Sequence, residues 1–324
     1  MPTDMHEQLT KYLTDAHSIE EQALAQLRTA PELAGDPKLA EMFRGHLAET
    51  EEHERTVAKL LEARGESPSR VKDTVMAVGG KGFLLFARLQ PDTPGKLVAH
   101  AFSYEALELA AYELLARTAD RAGEEDVASA ARSIGSQERE MIERLASGFD
   151  NAVEATLREH PHDDLSELVR KYLADAHALE EQAIGLLERA PGASDDARLA
   201  HVYEEHLAET RDHAELVTAR LDALGGDPSS LKDAAMRLGA LNWSAFFQGQ
   251  PDTPGKLAAF AFAFEHLEIG GYEQLRRVAE RAGDDETASL ATRILEQERS
   301  AAERVAAQFD AAAEASLASQ NLRP

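Results

Sequence analysis

The chain has 324 residues, long enough for two domains, and carries 59 acidic against 34 basic residues, a formal net charge of −25. That balance argues against nucleic-acid phosphates and anionic membrane surfaces as partners, and suits a protein that tolerates or attracts cations. No cysteine is present, which excludes disulfides, thiolate metal sites and cysteine nucleophiles.

The N-terminal stretch MPTDMHEQLTKYL lacks a basic start followed by an apolar core, so no signal peptide is expected. No apolar run reaches the roughly 18 residues of a membrane span. A cytoplasmic protein without a membrane partner is the expectation.

The chain is one unit written twice. Tyr12 and Tyr172, His17 and His177, His53 and His213, and Phe149 and Phe309 all stand at one offset, 172 − 12 = 160, and PDTPGKL recurs at 91–97 and 251–257. Two copies of one fold are expected, repeat 1 over residues 1–160 and repeat 2 over 161–324, joined near His160-Pro161-His162.

Each unit reads as four long helices. The first runs from about Asp4 to Thr29, with Leu9, Leu13, Ala16, Ala23 and Leu27 on one stripe. The second runs from about Pro37 to Arg64 and ends at Gly65 as a C-cap. The third starts at Asp92-Thr93-Pro94, a capping residue followed by proline in the first turn, and ends near Gly123. The fourth runs from about Glu124 to Arg158. The connection from Gly65 to Thr93 is too long for a hairpin between neighbours. It is expected to run back along the bundle, so that the second and third helices are parallel; it is apolar at Phe83–Phe86, and at Trp243–Phe247 in repeat 2, and is expected to include a short helix.

Polar residues interrupt every apolar stripe. His46, Glu49 and His53, at i, i+3 and i+7, share a face with Leu39, Met42, Val57 and Leu60. Glu20 interrupts the first helix, Glu108 the third and Glu138 the fourth. Repeat 2 offers Glu180, His206, Glu209, His213, Glu268 and Glu298 at the matching places. A single seam glutamate is most often a boundary residue that reaches water. Four at one level with an imidazole are not, because burying each ion costs several kcal/mol. Two divalent cations would offset that charge, and carboxylate with imidazole suits Fe, Mn or Zn.

The expected metal ligands are Glu20, Glu49, His53, Glu108 and Glu138, and Glu180, Glu209, His213, Glu268 and Glu298. Additional ligands, or hydrogen-bond partners of ligands, are sought among His17, His46, Glu105, Tyr112, His177, His206, Glu265 and Tyr272. Glu21 and Glu181 fall off the stripe and are expected in solvent.

On Asp15-Ala16-His17-Ser18-Ile19-Glu20-Glu21, His46-Leu47-Ala48-Glu49-Thr50, Glu105-Ala106-Leu107-Glu108 and the Glu138 region, both halves resemble the YciE/YciF-like ferritin-like family of bacterial stress-associated proteins. The resemblance implies an all-α chain of two tandem ferritin-like four-helix bundles, each with a rubrerythrin-like dinuclear metal centre, iron first and manganese or zinc as alternatives. It also implies pairing, which a tandem could make internal as a pseudo-dimer. One departure stands out. The ferritin-like Glu-x-x-His on the last helix is absent, since Met141 and Ala301 stand three after Glu138 and Glu298.

Two functions remain open at this point. One is a di-metal carboxylate protein with iron or peroxide redox chemistry in stress defence, enzymatic or not. The other is a non-catalytic helical structural or interaction protein with an empty or vestigial site. A nucleophilic hydrolase is set aside, because neither a cysteine nor Gly-x-Ser-x-Gly is present.

Overall fold

A computed structural model of the chain describes residues 4–66, 93–158, 165–193, 196–225 and 253–322. The chain divides between residues 159 and 160 into two compact units. Among the described residues each unit is helical throughout, without a strand.

Unit 1 consists of α1 (Met5–Leu27), the single turn α2 (Ala30–Leu33), α3 (Pro37–Glu62), α4 (Thr93–Ala122) and α5 (Glu125–Arg158). Unit 2 consists of α6 (Leu165–Leu187), a 3-10 turn (Ala190–Ala193), α7 (Ala197–Ala223), α8 (Thr253–Ala282), α9 (Asp285–Ala306) and α10 (Phe309–Ser319). The last helix of unit 2 is thus interrupted at Ala307 and Gln308, where α5 runs on. The connections expected to hold a short helix, with Trp243, lie outside the described residues, as does the join at 160–162.

Local chemistry sets the helix ends. Asp4 accepts from the Glu7 amide to start α1. Asp36 accepts from the Lys38 and Leu39 amides, and Pro37 loses no hydrogen bond in the first turn of α3. Past α3, Gly65 adopts φ +76° and lets the Glu66 amide reach back to the Leu61 carbonyl at 3.1 Å. Gly123, at φ +73°, makes the same reversal between α4 and α5, with Glu124 N to Ala119 O at 2.9 Å. No other residue type takes that left-handed turn as cheaply.

Helix α1 lies against α3 and α4, and α5 lies against α4 and α3. Direction follows from the side-chain pairs. Arg158, ending α5, meets Asp36 before α3 at 3.4 Å, and Arg64, past α3, meets Glu124 before α5 at 2.9 Å. So α3 and α5 are antiparallel. His46 meets Glu105, and farther along both chains Tyr112 joins Glu20 beside His53, so α3 and α4 are parallel. This is the order that a long return connection imposes.

The core is leucine, alanine and a few aromatics, among them Leu13, Phe43, Leu114, Leu145 and Phe149. Phe149 meets Phe102 edge-on at 5.5 Å, and Phe309 meets Phe262 in the same way at 5.5 Å. Phe149→Ala is expected to lower the stability of unit 1 by about 3–5 kcal/mol, the usual cost of emptying a packed aromatic site. Urea unfolding of the two proteins side by side measures it, and a change under about 1 kcal/mol would contradict this packing.

Candidate metal centre

Six titratable side chains meet at mid-height in unit 1: Glu20 from α1, His46 and His53 from α3, Glu105 and Glu108 from α4, and Glu138 from α5. None is more than 2% exposed, so none reaches water. Helix periodicity explains the convergence. His46 and His53 are seven apart and nearly superimpose down the axis, and Glu105 and Glu108 are one turn apart.

They form two overlapping groups. His46, Glu105, Glu108 and Glu138 bring ligand atoms within 4.8 Å of one another, as do Glu20, His53 and Glu138. Glu138 belongs to both. Unit 2 repeats the pattern with His206, Glu265, Glu268 and Glu298, and with Glu180, His213 and Glu298.

Hydrogen bonds and close ionic contacts hold the imidazoles. His53 Nδ1 lies 2.8 Å from Glu138, and its Nε2 lies 2.7 Å from Gln137 Oε1. An Nε2–H donated to Gln137 leaves Nδ1 facing the carboxylates, where its lone pair can serve a cation once the proton leaves. His46 Nε2 lies 2.8 Å from Glu105, and Nδ1 lies 3.2 Å from Glu49. In unit 2, Gln297 lies 3.1 Å from His213 Nε2, and Glu265 lies 2.8 Å from His206 Nε2. Tyr112 donates to Glu20, and Tyr272 donates to Glu180.

Glu49, expected among the ligands, stands apart from both groups. At about 100° per residue His53 returns to within about 20° of His46. Glu49 instead lies about 60° round, on the side away from Phe43 and Thr50. Its side chain is 36% exposed and takes a two-pronged ion pair from Arg144, at 3.1 and 2.6 Å. It reaches the centre only through His46. Glu209 does the same, held by Arg304 and 3.6 Å from His206 Nδ1. His17 and His177 also lie outside both groups. The first pairs with Glu54 at 3.0 Å, and the second lies 3.2 Å from the Thr218 hydroxyl.

His46 and Glu105, considered only as additions in the sequence, belong to the cluster itself. Gln137, Gln297, Arg144 and Arg304 were not singled out. Their polar character at helix boundary positions is ordinary, and only their partners across the bundle distinguish them.

The electrostatics follow from desolvation and like charge. Burial, then the charge of Glu138, pushes Glu20 up to about 8. Burial raises Glu105 to about 7 against the pull of His46. Burial drives Glu108 far up, with Glu138, Glu20 and Glu105 adding to it. Burial pulls His46 down, but Glu105 and Glu49 outweigh it and carry it up to about 10. Glu49 itself is held down near 2 by His46 and Arg144. Both Glu108 oxygens, and both Glu268 oxygens, are buried without a hydrogen-bond partner. Such a group costs about 1–3 kcal/mol. A divalent cation at that position would supply the missing partner, and a donor set of carboxylates with one imidazole per group could hold one.

Each half also has a counterpart among known sequences. A family model described as a domain of unknown function, DUF892, matches residues 4–158 and again 164–318. No solved structure matches the chain.

Raised carboxyl and imidazole pKa values mean that the folded, metal-free chain holds protons that the unfolded chain has released. The associated stability is full at low pH. It is lost as pH rises from about 4.5 through 7 to 8 for Glu105 and Glu20, and from 6.5 through about 10 for His46. Chelator-treated protein is therefore expected to melt at progressively lower temperature from pH 5 to pH 9. Glu20→Gln with Glu180→Gln should flatten part of that fall, and a double variant with an unchanged slope would contradict this account.

Proposed function

The chain belongs to the DUF892 family, of YciE/YciF type, in two tandem copies, and from that membership and the buried clusters we propose that each unit is a ferritin-like bundle holding a pair of divalent metal ions. The carrying observation is Glu108, a fully dehydrated carboxylate with neither oxygen satisfied, beside three other buried carboxylates. In this reading Glu20, His53 and Glu138 hold one ion, and His46, Glu105, Glu108 and Glu138 hold the other. Glu138, common to both groups, would serve both ions. Unit 2 uses Glu180, His213 and Glu298, and His206, Glu265, Glu268 and Glu298.

Iron is the first candidate, with manganese and zinc as alternatives. Bound iron or manganese would supply one-electron chemistry toward peroxide or dioxygen, which fits a role in stress defence.

The chain's own residues do the rest. Four carboxylates neutralise the four positive charges of two dications, so the loaded site carries little net charge in its apolar surroundings. On loading, His53 Nδ1 and His46 Nε2 give up protons, as do the carboxyls held protonated by burial. Gln137 keeps the His53 ring oriented, and the Arg144–Glu49 pair does so for His46. Tyr112 holds Glu20 by its hydroxyl. The apolar stripes above and below exclude water.

Elemental analysis of protein purified without chelators tests the reading. Iron, manganese or zinc is expected in both units, and near-zero content that persists after reconstitution would sink it. Glu138→Ala with Glu298→Ala should abolish binding at the buried pairs while helicity is kept, since the shared ligand is lost from both positions of each pair. Glu49→Ala with Glu209→Ala should retain the metal, because those carboxylates only steady His46 and His206. Loss of metal in the second pair of substitutions and not in the first would reverse the assignment.

A further inference from the structure

Among the described residues, a third group of ligand atoms lies outside the buried clusters, in unit 1 alone. His17 and Glu21, four apart on α1, share a face, and Glu54 approaches them from α3. Ligand atoms of the three lie within 4.8 Å of one another. We propose that His17, Glu21 and Glu54 form a separate site for one divalent transition-metal ion, open to solvent and absent from unit 2.

The chemistry of the three residues supports this. His17 has no exposed surface, its Nε2 lies 3.0 Å from Glu54, and its Nδ1 has no hydrogen-bond partner. The buried His17 imidazole turns Nε2 toward Glu54, and both carboxylates of the group are partly exposed. Glu54 is 22% exposed and Glu21 is half-buried. One nitrogen with two carboxylate oxygens is a set that Zn2+, Mn2+ or Fe2+ accepts, with water completing the shell. Two ligands come from successive turns of one helix and the third from its neighbour, so helix packing preforms the site.

Unit 2 serves as an internal control. The positions equivalent to His17 and Glu21 keep His177 and Glu181, but Glu54 is replaced by Ala214. There the imidazole turns to the Thr218 hydroxyl at 3.2 Å, where unit 1 has Ala58. The same backbone therefore carries alanine at this place, and Glu54 is not needed for the helices to pack. None of the three residues belongs to the clusters around Glu138 or Glu298, so this site does not depend on the di-metal reading.

The test counts bound ions. Metal-free full-length protein is dialysed to equilibrium against Zn2+, and zinc per chain is measured for the unaltered chain, for Glu54→Ala, and for Ala214→Glu combined with Thr218→Ala. Glu54→Ala is expected to fold, as unit 2 shows, and to bind one equivalent less. The double substitution in unit 2 is expected to bind one equivalent more. Equal zinc in the unaltered chain and Glu54→Ala would overturn the assignment. Because the readout is a difference between variants, it stands whether or not the buried clusters take up zinc. Emptiness of those clusters would show instead as a low count common to all three proteins.

Discussion

Burying four carboxylates against two imidazoles is the constraint on which each unit depends. Glu20, Glu105, Glu108 and Glu138 can carry four negative charges, and His46 and His53 at most two positive ones. In water the imbalance would be trivial. In a dry bundle each uncompensated charge costs several kcal/mol. The group can respond only by holding protons, which is why the carboxyls shift upward, or by taking up cations. A bundle built for stability alone would carry apolar residues at these positions, as it does one turn away at Leu24, Val57 and Met141.

The scaffold concentrates that cost where it can be managed. Packed leucine, alanine and phenylalanine fill the helices above and below, and the polar residues beside the cluster are paired. Arg144 takes Glu49, Gln137 takes His53 and Tyr112 takes Glu20. At the centre both oxygens of Glu108 and both of Glu138 are left without a hydrogen-bond partner. Parallel α3 and α4 make this possible, because they place His46 level with Glu105 and, farther along, His53 level with Tyr112, which holds Glu20.

Duplication lets one half of the chain interpret the other. The buried cluster recurs residue for residue with the same pair distances of 2.8 Å at His53–Glu138 and His213–Glu298. The periphery has diverged. Glu54 faces Ala214 in the alignment, and Tyr104, which donates to the Ile19 carbonyl at 3.0 Å, corresponds to Phe264. The shared centre and the differing surround show that the two units are constrained alike at the core and separately around it.

Much of this was readable from residue order. A strict offset of 160, long stripes of apolar residues and caps such as Asp36-Pro37 and Gly65 determine two helical bundles, because helix periodicity and termination are local properties. The same periodicity showed that Glu20, Glu108, Glu138 and His53 interrupt apolar faces. It did not show which boundary residues turn inward. Glu49, about 60° from His46, could face either the centre or Arg144, and only the position of α5 decided it. Glu105 and His46 entered the cluster, Glu138 became common to both groups, and Glu54 came to lie on His17 for the same reason. Each is a contact between helices far apart in the chain, set by their relative rotation and height, and no local pattern encodes that.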